Sequence, residues 1–232
     1  MQIAFADMGR TKYADAWEFQ RQIFDLRHYG LVGDTLLVTE HDPVYTIGKG
    51  GDENHLLASE EELKNGGISL FRIDRGGDIT YHGPGQLVGY PIIDLQDYKA
   101  DLHWYLRSLE EVLILALEEF DIDGVREEGM TGVWVKGEKI AAIGVKISRW
   151  ITMHGFALNV NTDLSKFDRI IPCGIFHKGV TSMQRILERD IPMEEVRSVV
   201  RRAFASVFAR NIVPMPWEEL HRLVVGHVIE RV

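Results

Sequence analysis

Cysteine is nearly missing from this chain: of 232 residues only Cys173 carries a thiol. One thiol excludes an internal disulfide. Long apolar runs are missing as well. The longest is Val112 to Leu117, six residues, against about 20 needed to cross a bilayer. The N-terminal stretch MQIAFADMGRTK has neither a basic start nor an apolar segment, so no secretory signal is expected. Positive charge is in deficit, 26 basic against 35 acidic residues, for a net charge of −9. That balance argues against a nucleic-acid partner, which would usually meet a basic face. An acidic protein partner would need a local basic patch to dock on. These absences predict a cytoplasmic protein with neither membrane nor nucleic acid among its partners. Repeats, low-complexity tracts and linker-like segments are lacking too, so a single domain over 1–232 is the economical reading.

What is present suits a globular core: 45% of the residues are apolar and 26% charged. Helical spacing runs through Tyr13, Ala16, Trp17, Gln20, Ile23 and Phe24. It returns over Leu102 to Phe120, and again over Val196 to Phe208 behind Pro192, a proline placed where a helix start tolerates it. Ser59 and Glu62 fit a capping box, and a further short helix is expected over Trp217 to Val225. Strand-like runs cover Thr35–Thr39, Val44–Ile47, Ser69–Ile73, Ile79–Tyr81, Leu87–Ile93, Val133–Val135, Ile140–Ile147 and Phe156–Val160. Lys136-Gly137-Glu138 reads as a tight hairpin connection. Strands gathered mid-chain, with helices between and after them, predict an α+β fold with a mixed or antiparallel sheet and flanking helices. Strict βαβ alternation is absent, which argues against a Rossmann fold.

Between Arg75 and Gln86 the chain reads RGGDITYHGPGQ. Gly83, Gly85 and Gly89 miss the dinucleotide spacing, and Leu87 onward reads as a strand where a helix would be required. The P-loop pattern is absent, so neither standard phosphate cradle applies. The nine histidines show no zinc spacing, and no metal is assigned. Two readings stay open. The loop is a glycine-rich hairpin in which His82 bonds locally. Alternatively Gly76, Gly77, Gly83 and Gly85 let backbone approach a ligand that Tyr81 and His82 contact.

Cys173 stands in DRIIPCGIFHKG, with Pro172 before it, Gly174 after it, and Arg169, His177 and Lys178 within five residues. A free cysteine is most often a small buried hydrophobe. An electropositive setting raises the thiolate fraction of a thiol whose ordinary pKa is about 8.5, which makes Cys173 a candidate nucleophile. Lys139 opens the apolar run KIAAIGVKIS. It either snorkels at a strand end or acts as a base or as a cation beside a thiolate.

Taken together, RGGDITYHGPGQLVGYPIIDL (Arg75–Leu95), TGVWV with KIAAIGVKISRWITMHGFALNV (Thr131–Val160) and IIPCGI (Ile170–Ile175) resemble the lipoyl(octanoyl) transferases, the octanoyltransferases of protein lipoylation. The resemblance covers Thr35 to Ser182. It implies the α+β fold shared with biotin and lipoate protein ligases. Cys173 then matches the nucleophile that carries the acyl group as a thioester, and Lys139 the lysine that tunes it. Arg75, Gly76, Gly77, Asp78, Ile79, Thr80, Tyr81 and His82 match the substrate-binding loop. Ala142, Ile143 and Gly144 match a second binding segment, and Gly155, Phe156 and Ala157 a third. His82 and His154 match histidines lining the site. The implied donor is octanoyl-acyl carrier protein. The implied acceptors are lipoyl domains of 2-oxoacid dehydrogenases and the glycine cleavage H protein, and no cofactor is implied. Lys146, Arg149, Arg169 and Lys178 are candidates for a basic docking rim near Cys173. The rival readings are an ATP-dependent lipoate–protein ligase and a non-catalytic binder of acylated carrier domains.

Overall fold

The computed structural model describes residues 2–171 and 179–229. The chain runs β1 (Gln2–Thr11), α1 (Tyr13–His28), β2 (Asp34–His41), β3 (Val44–Ile47), α2 (Glu60–Asn65), β4 (Ser69–Arg72), β5 (Ile79–His82) and β6 (Gln86–Ile92). It continues through α3 (Leu102–Glu118), β7 (Val125–Glu127), β8 (Met130–Val135), β9 (Glu138–Ser148), β10 (Ile151–Asn159), α4 (Met183–Leu187), α5 (Met193–Phe208), β11 (Asn211–Pro214) and α6 (Trp217–Ile229).

Local chemistry sets the helix starts. Ser59 and Glu62 close the expected capping box at α2 in both directions. Asp101 caps α3 by accepting the Trp104 N–H at 3.1 Å. Pro192 is the N-cap of α5. The hairpin between β8 and β9 turns on Lys136 and Gly137, both left-handed, and pairs Val135 with Glu138.

Among the described residues eight strands form one sheet in the order β11-β1-β2-β6-β10-β9-β8-β7, and β4-β3-β5 form a second. β1 pairs in parallel with β2 and β11, while β2–β6, β6–β10, β10–β9 and β9–β8 are antiparallel. The fold is therefore α+β with a mixed sheet. Both faces of the large sheet are covered. On β2, Leu36 and Val38 enter a core with α3 and α5, whereas Leu37 enters one with α1 and α6. The two-residue period of a strand sends alternate side chains to opposite layers.

Three strands were not expected from the sequence: β1, β7 and β11. β1 (QIAFADMGRT) contains weak strand formers such as alanine, aspartate and glycine. It is held between β2 and β11, whose paired residues lie about 30 and more than 200 positions away, respectively. The second sheet packs Tyr45, Ile79 and Tyr81 against Phe167 and Ile170. A cavity lies between β5 and the β6, β9 and β10 strands of the large sheet.

Candidate active site

The cavity has a volume of about 500 Å³. Arg75, Gly76, Gly77, Asp78, Ile79, Thr80, His82, Lys139, Ala142, Ile143, Gly144, His154, Gly155, Phe156 and Ala157 all line it. Segments separated by up to 80 residues of chain thus face one space. Cys173, like Lys178, lies outside the described residues.

Tyr81 turns away from the cavity. Its ring packs on Tyr45 and Phe167 at 5.5 and 5.7 Å, and burial pushes its hydroxyl pKa up to about 12. Strand alternation explains why His82 faces the cavity and Tyr81 the small sheet's core. Gly83 and Gly85 also serve the chain itself and leave no room for a ligand. A Cβ on Gly83 would run into the Tyr81 ring, and one on Gly85, at φ +79°, into the Asn161 carbonyl. Of the four loop glycines, Gly76 and Gly77 are the two that border the cavity.

Backbone bonds fasten the loop. The Gly76 N–H donates to the Val145 carbonyl at 2.9 Å, and the Arg75 and Gly77 carbonyls accept from Lys49 and Gly50. The buried Arg75 guanidinium donates to the Thr46 carbonyl and hydroxyl at 2.8 and 2.9 Å and to the Gly76 carbonyl at 3.0 Å. Asp78 accepts the Ile79 N–H at 2.7 Å and pairs with His55 at 2.5 Å. His55 in turn accepts the Ile171 N–H on its backbone carbonyl at 2.8 Å.

Lys139 is half-buried on β9, its ammonium 4.7 Å from the centre of the Trp134 ring. Its backbone N–H donates to the Gly179 carbonyl at 2.9 Å, and its carbonyl accepts the Thr181 N–H at 3.0 Å. The sequence-adjacent flanks of the 172–178 segment are therefore both tied to the site: Ile171 to His55, and Gly179 and Thr181 to Lys139. Nearby, the Gly132 N–H on β8 donates to the buried Glu110 carboxylate of α3 at 3.1 Å. Arg107 and Arg126 neutralise Glu110 from the outside, at 2.6 and 3.0 Å.

The polar end of the cavity holds two buried histidines. His82 bonds Gln86 at 2.7 Å and stacks on Tyr13 with ring centroids 6.0 Å apart. His154 bonds the Asp74 carboxylate at 2.8 Å, and Lys146 reaches the same carboxylate at 2.7 Å. Those contacts hold Asp74 well below the usual carboxylate range, with the His154 bond the main cause and burial opposing it. Behind His82, His41 faces the Thr11 carbonyl through Nδ1 at 3.2 Å. Its Nε2 therefore accepts the Tyr90 hydroxyl proton at 2.6 Å. Burial pushes His41 down to about 4.

Sequence reasoning missed Tyr13, Gln86, Tyr90, Leu102, Leu106 and Asn159, which also line the cavity, and Asp74, which holds His154. Gln86 and Asn159 stood inside the quoted motifs, and Asp74 directly before them. Tyr90 stood inside the same motifs, while nothing local marks Tyr13. Of the four candidates for a basic rim, Lys178 lies outside the described residues. Lys146 is engaged by Asp74, and Arg169 pairs with Glu62 at 3.1 Å. Arg149 follows the far end of β9, about 30 Å along the strand from Lys139 at 3.3 Å per residue.

With this geometry in view, the family model described as "Lipoyl protein ligase A/B catalytic domain" matches residues 12–205. The chain belongs to that family of catalytic domains. Within it, an octanoyltransferase of Rubrobacter xylanophilus is 55% identical over 201 residues, covering 86% of this chain and 90% of the relative. One from Gloeobacter violaceus is 51% identical over 207 residues, covering 89% and 90%. Identity at this level over nearly the whole of both chains places the protein among the octanoyltransferases, which are acyltransferases. A structure of lipoate-protein ligase A bound with ATP superposes with a TM-score of 0.73 at 18% identity, covering 97% of this chain and 94% of that one. An apo biotin protein ligase from Aquifex aeolicus gives 0.51 at 15%, covering 90% and 70%. These two share the fold.

Proposed function

We propose that the octanoyl group arrives as a thioester on an acyl carrier protein, passes to Cys173, and leaves on a lysine of a lipoyl-accepting domain. In the first step the Cys173 thiolate attacks the carbonyl carbon. A new C–S bond forms, the carrier C–S bond breaks, and the departing thiolate takes a proton. In the second, the acceptor amine attacks, a C–N bond forms, the Cys173 C–S bond breaks, and the amine's proton is released. Exchange between thioesters is close to balanced, and amide formation pulls the sequence forward.

The observation that carries this reading is the shared wall of Lys139 and the apolar groups of β9, β10 and α3 around one cavity. Burying the seven carbons beyond the carbonyl would contribute about 6 kcal/mol at about 0.8 kcal/mol per methylene. Arg75 to Thr80, Ala142 to Gly144 and His154 to Ala157 bind the acyl chain and its carbonyl end, and His82 borders the same space. Lys139 acts as the cation that favours the thiolate of Cys173. The acceptors are lipoyl domains of 2-oxoacid dehydrogenases and the glycine cleavage H protein. The chain works as one domain, in the cytoplasm, without a cofactor.

Incubation with octanoyl carrier protein, without ATP, should add one hydroxylamine-labile octanoyl group to the Cys173 peptide. Lys139→Met should raise the pKa of that thiol in an iodoacetamide pH–rate profile. Full activity in Cys173→Ala would sink the thioester route.

A further inference from the structure

Behind His82 the side-chain amides form a relay with a fixed direction. At two points it meets backbone carbonyls, which can only accept. Asn159 Nδ2 donates to the Thr181 carbonyl at 3.0 Å. That leaves Asn159 Oδ1 to accept from Gln86 Nε2 at 2.9 Å. Gln86 Nε2 also donates to the Tyr81 carbonyl at 3.1 Å, so the amide cannot be turned around. Gln86 Oε1 is then the atom that meets His82 Nδ1 at 2.7 Å. An amide oxygen only accepts, so Nδ1 carries the ring's hydrogen. Nε2 of the neutral ring is a bare lone pair, without a hydrogen-bond partner among the described residues.

The ring stays neutral. Burial, helped by the neighbouring His41 and by Arg75 and His154, pushes His82 down to about 3, and the Gln86 bond only partly offsets this. Tyr13 and His41 pack against it at 6.0 and 5.9 Å, and neither brings a negative charge at neutral pH. A neutral imidazole with a bare Nε2 cannot donate to a developing oxyanion. It fits a group that carries N–H.

We propose that Gln86 and Asn159 are positioning residues that lock His82 with its unprotonated Nε2 on the cavity, where it accepts a hydrogen bond from the attacking lysine amine. This rests on the two-step transfer proposed above and assigns His82 to its second half. One N–H held on Nε2 orients the amine while its lone pair stays free to meet the acyl carbon. The relay has a second attachment. Thr181, which anchors Asn159, also donates its N–H to the Lys139 carbonyl, so one buried residue registers both the imidazole and the strand carrying Lys139.

The test separates the half-reactions. Octanoyl loading is followed by intact mass, and transfer from the loaded enzyme to an acceptor domain by rapid quench. In Gln86→Leu, loading should stay within about 3-fold of the parent while transfer slows about 100-fold. Independently of activity, ring-nitrogen NMR of the unaltered protein should show His82 as the Nδ1–H tautomer, without titration between pH 5 and 8. In Gln86→Leu the tautomers should mix. An Nε2–H signal in the unaltered protein overturns the proposal even if the variant fails to fold. Equal slowing of both half-reactions, or of neither, overturns it as well. Failure of the unaltered enzyme to load at all would sink the thioester route instead and leave the NMR result to be judged by itself.

Discussion

His82 and His154 border the same cavity and are both buried, yet they are held in opposite ways. His82 is fixed by a neutral amide whose partners are amides and backbone carbonyls. His154 is fixed by an ionised carboxylate that it shares with Lys146. A carboxylate accepts only, so His154 donates through Nε2, and its Nδ1 is a buried atom with no hydrogen-bond partner among the described residues. His154 also takes φ +58°, a left-handed conformation that costs a non-glycine residue energy and recurs at functional sites. Its N–H donates to Gln20 of α1 at 3.0 Å. Burial lowers the pKa of both rings, and for His154 the Asp74 charge works against it. The lesson is that burial alone keeps an imidazole neutral, while the anchor decides which nitrogen is offered and how readily protons or ions disturb it.

Acid should break the neutral side first and most. His82 and His41 have folded pKa values of about 3 and 4 against an ordinary 6.5. The unfolded chain therefore binds more protons than the folded one between those limits. Their stabilising effect is fully present above about pH 6.5 and is lost as the pH falls. At 1.36 kcal/mol per unit, the two together should cost about 4 kcal/mol between pH 6.5 and 4.5. His154 shifts in the same direction and adds to the loss. Urea unfolding across that range checks the slope, and a flat profile would mean the rings are charged in the folded protein.

Gly85→Ala should come next, at about 3 kcal/mol, because it combines a strained positive φ with a clash against the Asn161 backbone. Gly85 directly precedes Gln86, so the loosened tautomer of His82 should be visible in the same NMR spectrum. Asp74→Leu attacks the other side and leaves His154 and Lys146 without their shared carboxylate. A loss of about 2 kcal/mol is expected. Asp74→Asn should recover part of it, since an amide oxygen can still accept from His154. Chemical denaturation of the two variants side by side measures the charge contribution directly. The smallest effect belongs to Arg149→Glu. At the turn beyond β9, far from Lys139, it should change stability by less than about 0.5 kcal/mol and leave the KM for carrier protein unaltered. A raised KM would show that carrier docking extends along the whole strand.

The helices other than α4 were legible because their signals are local: apolar spacing at three and four residues, Ser59 with Glu62, and a proline ahead of α5. Much of the cavity wall was legible as well, since its glycine-bearing segments stand out in composition and match a known pattern. The finer assignments were not. Whether Gly76 or Gly83 borders the cavity depends on which neighbour fills the space where a Cβ would stand. For Gly83 that neighbour is Tyr81, two residues back and on the face away from the cavity.

The sequence by itself determined which chemical groups are available and which local elements can form, because capping, turn chemistry and hydrophobic period act over a few residues. Tertiary structure alone decided that β1 is a strand, since its pairing partners β2 and β11 lie far along the chain. It also decided the protonation of the site. Thr181, Asn159, Gln86 and His82 span about 100 residues of chain, and only their juxtaposition fixes which imidazole nitrogen carries the hydrogen. A proton's position follows from the direction of every hydrogen bond behind it, and those directions are set by backbone carbonyls that folding brings to 3.0 and 3.1 Å.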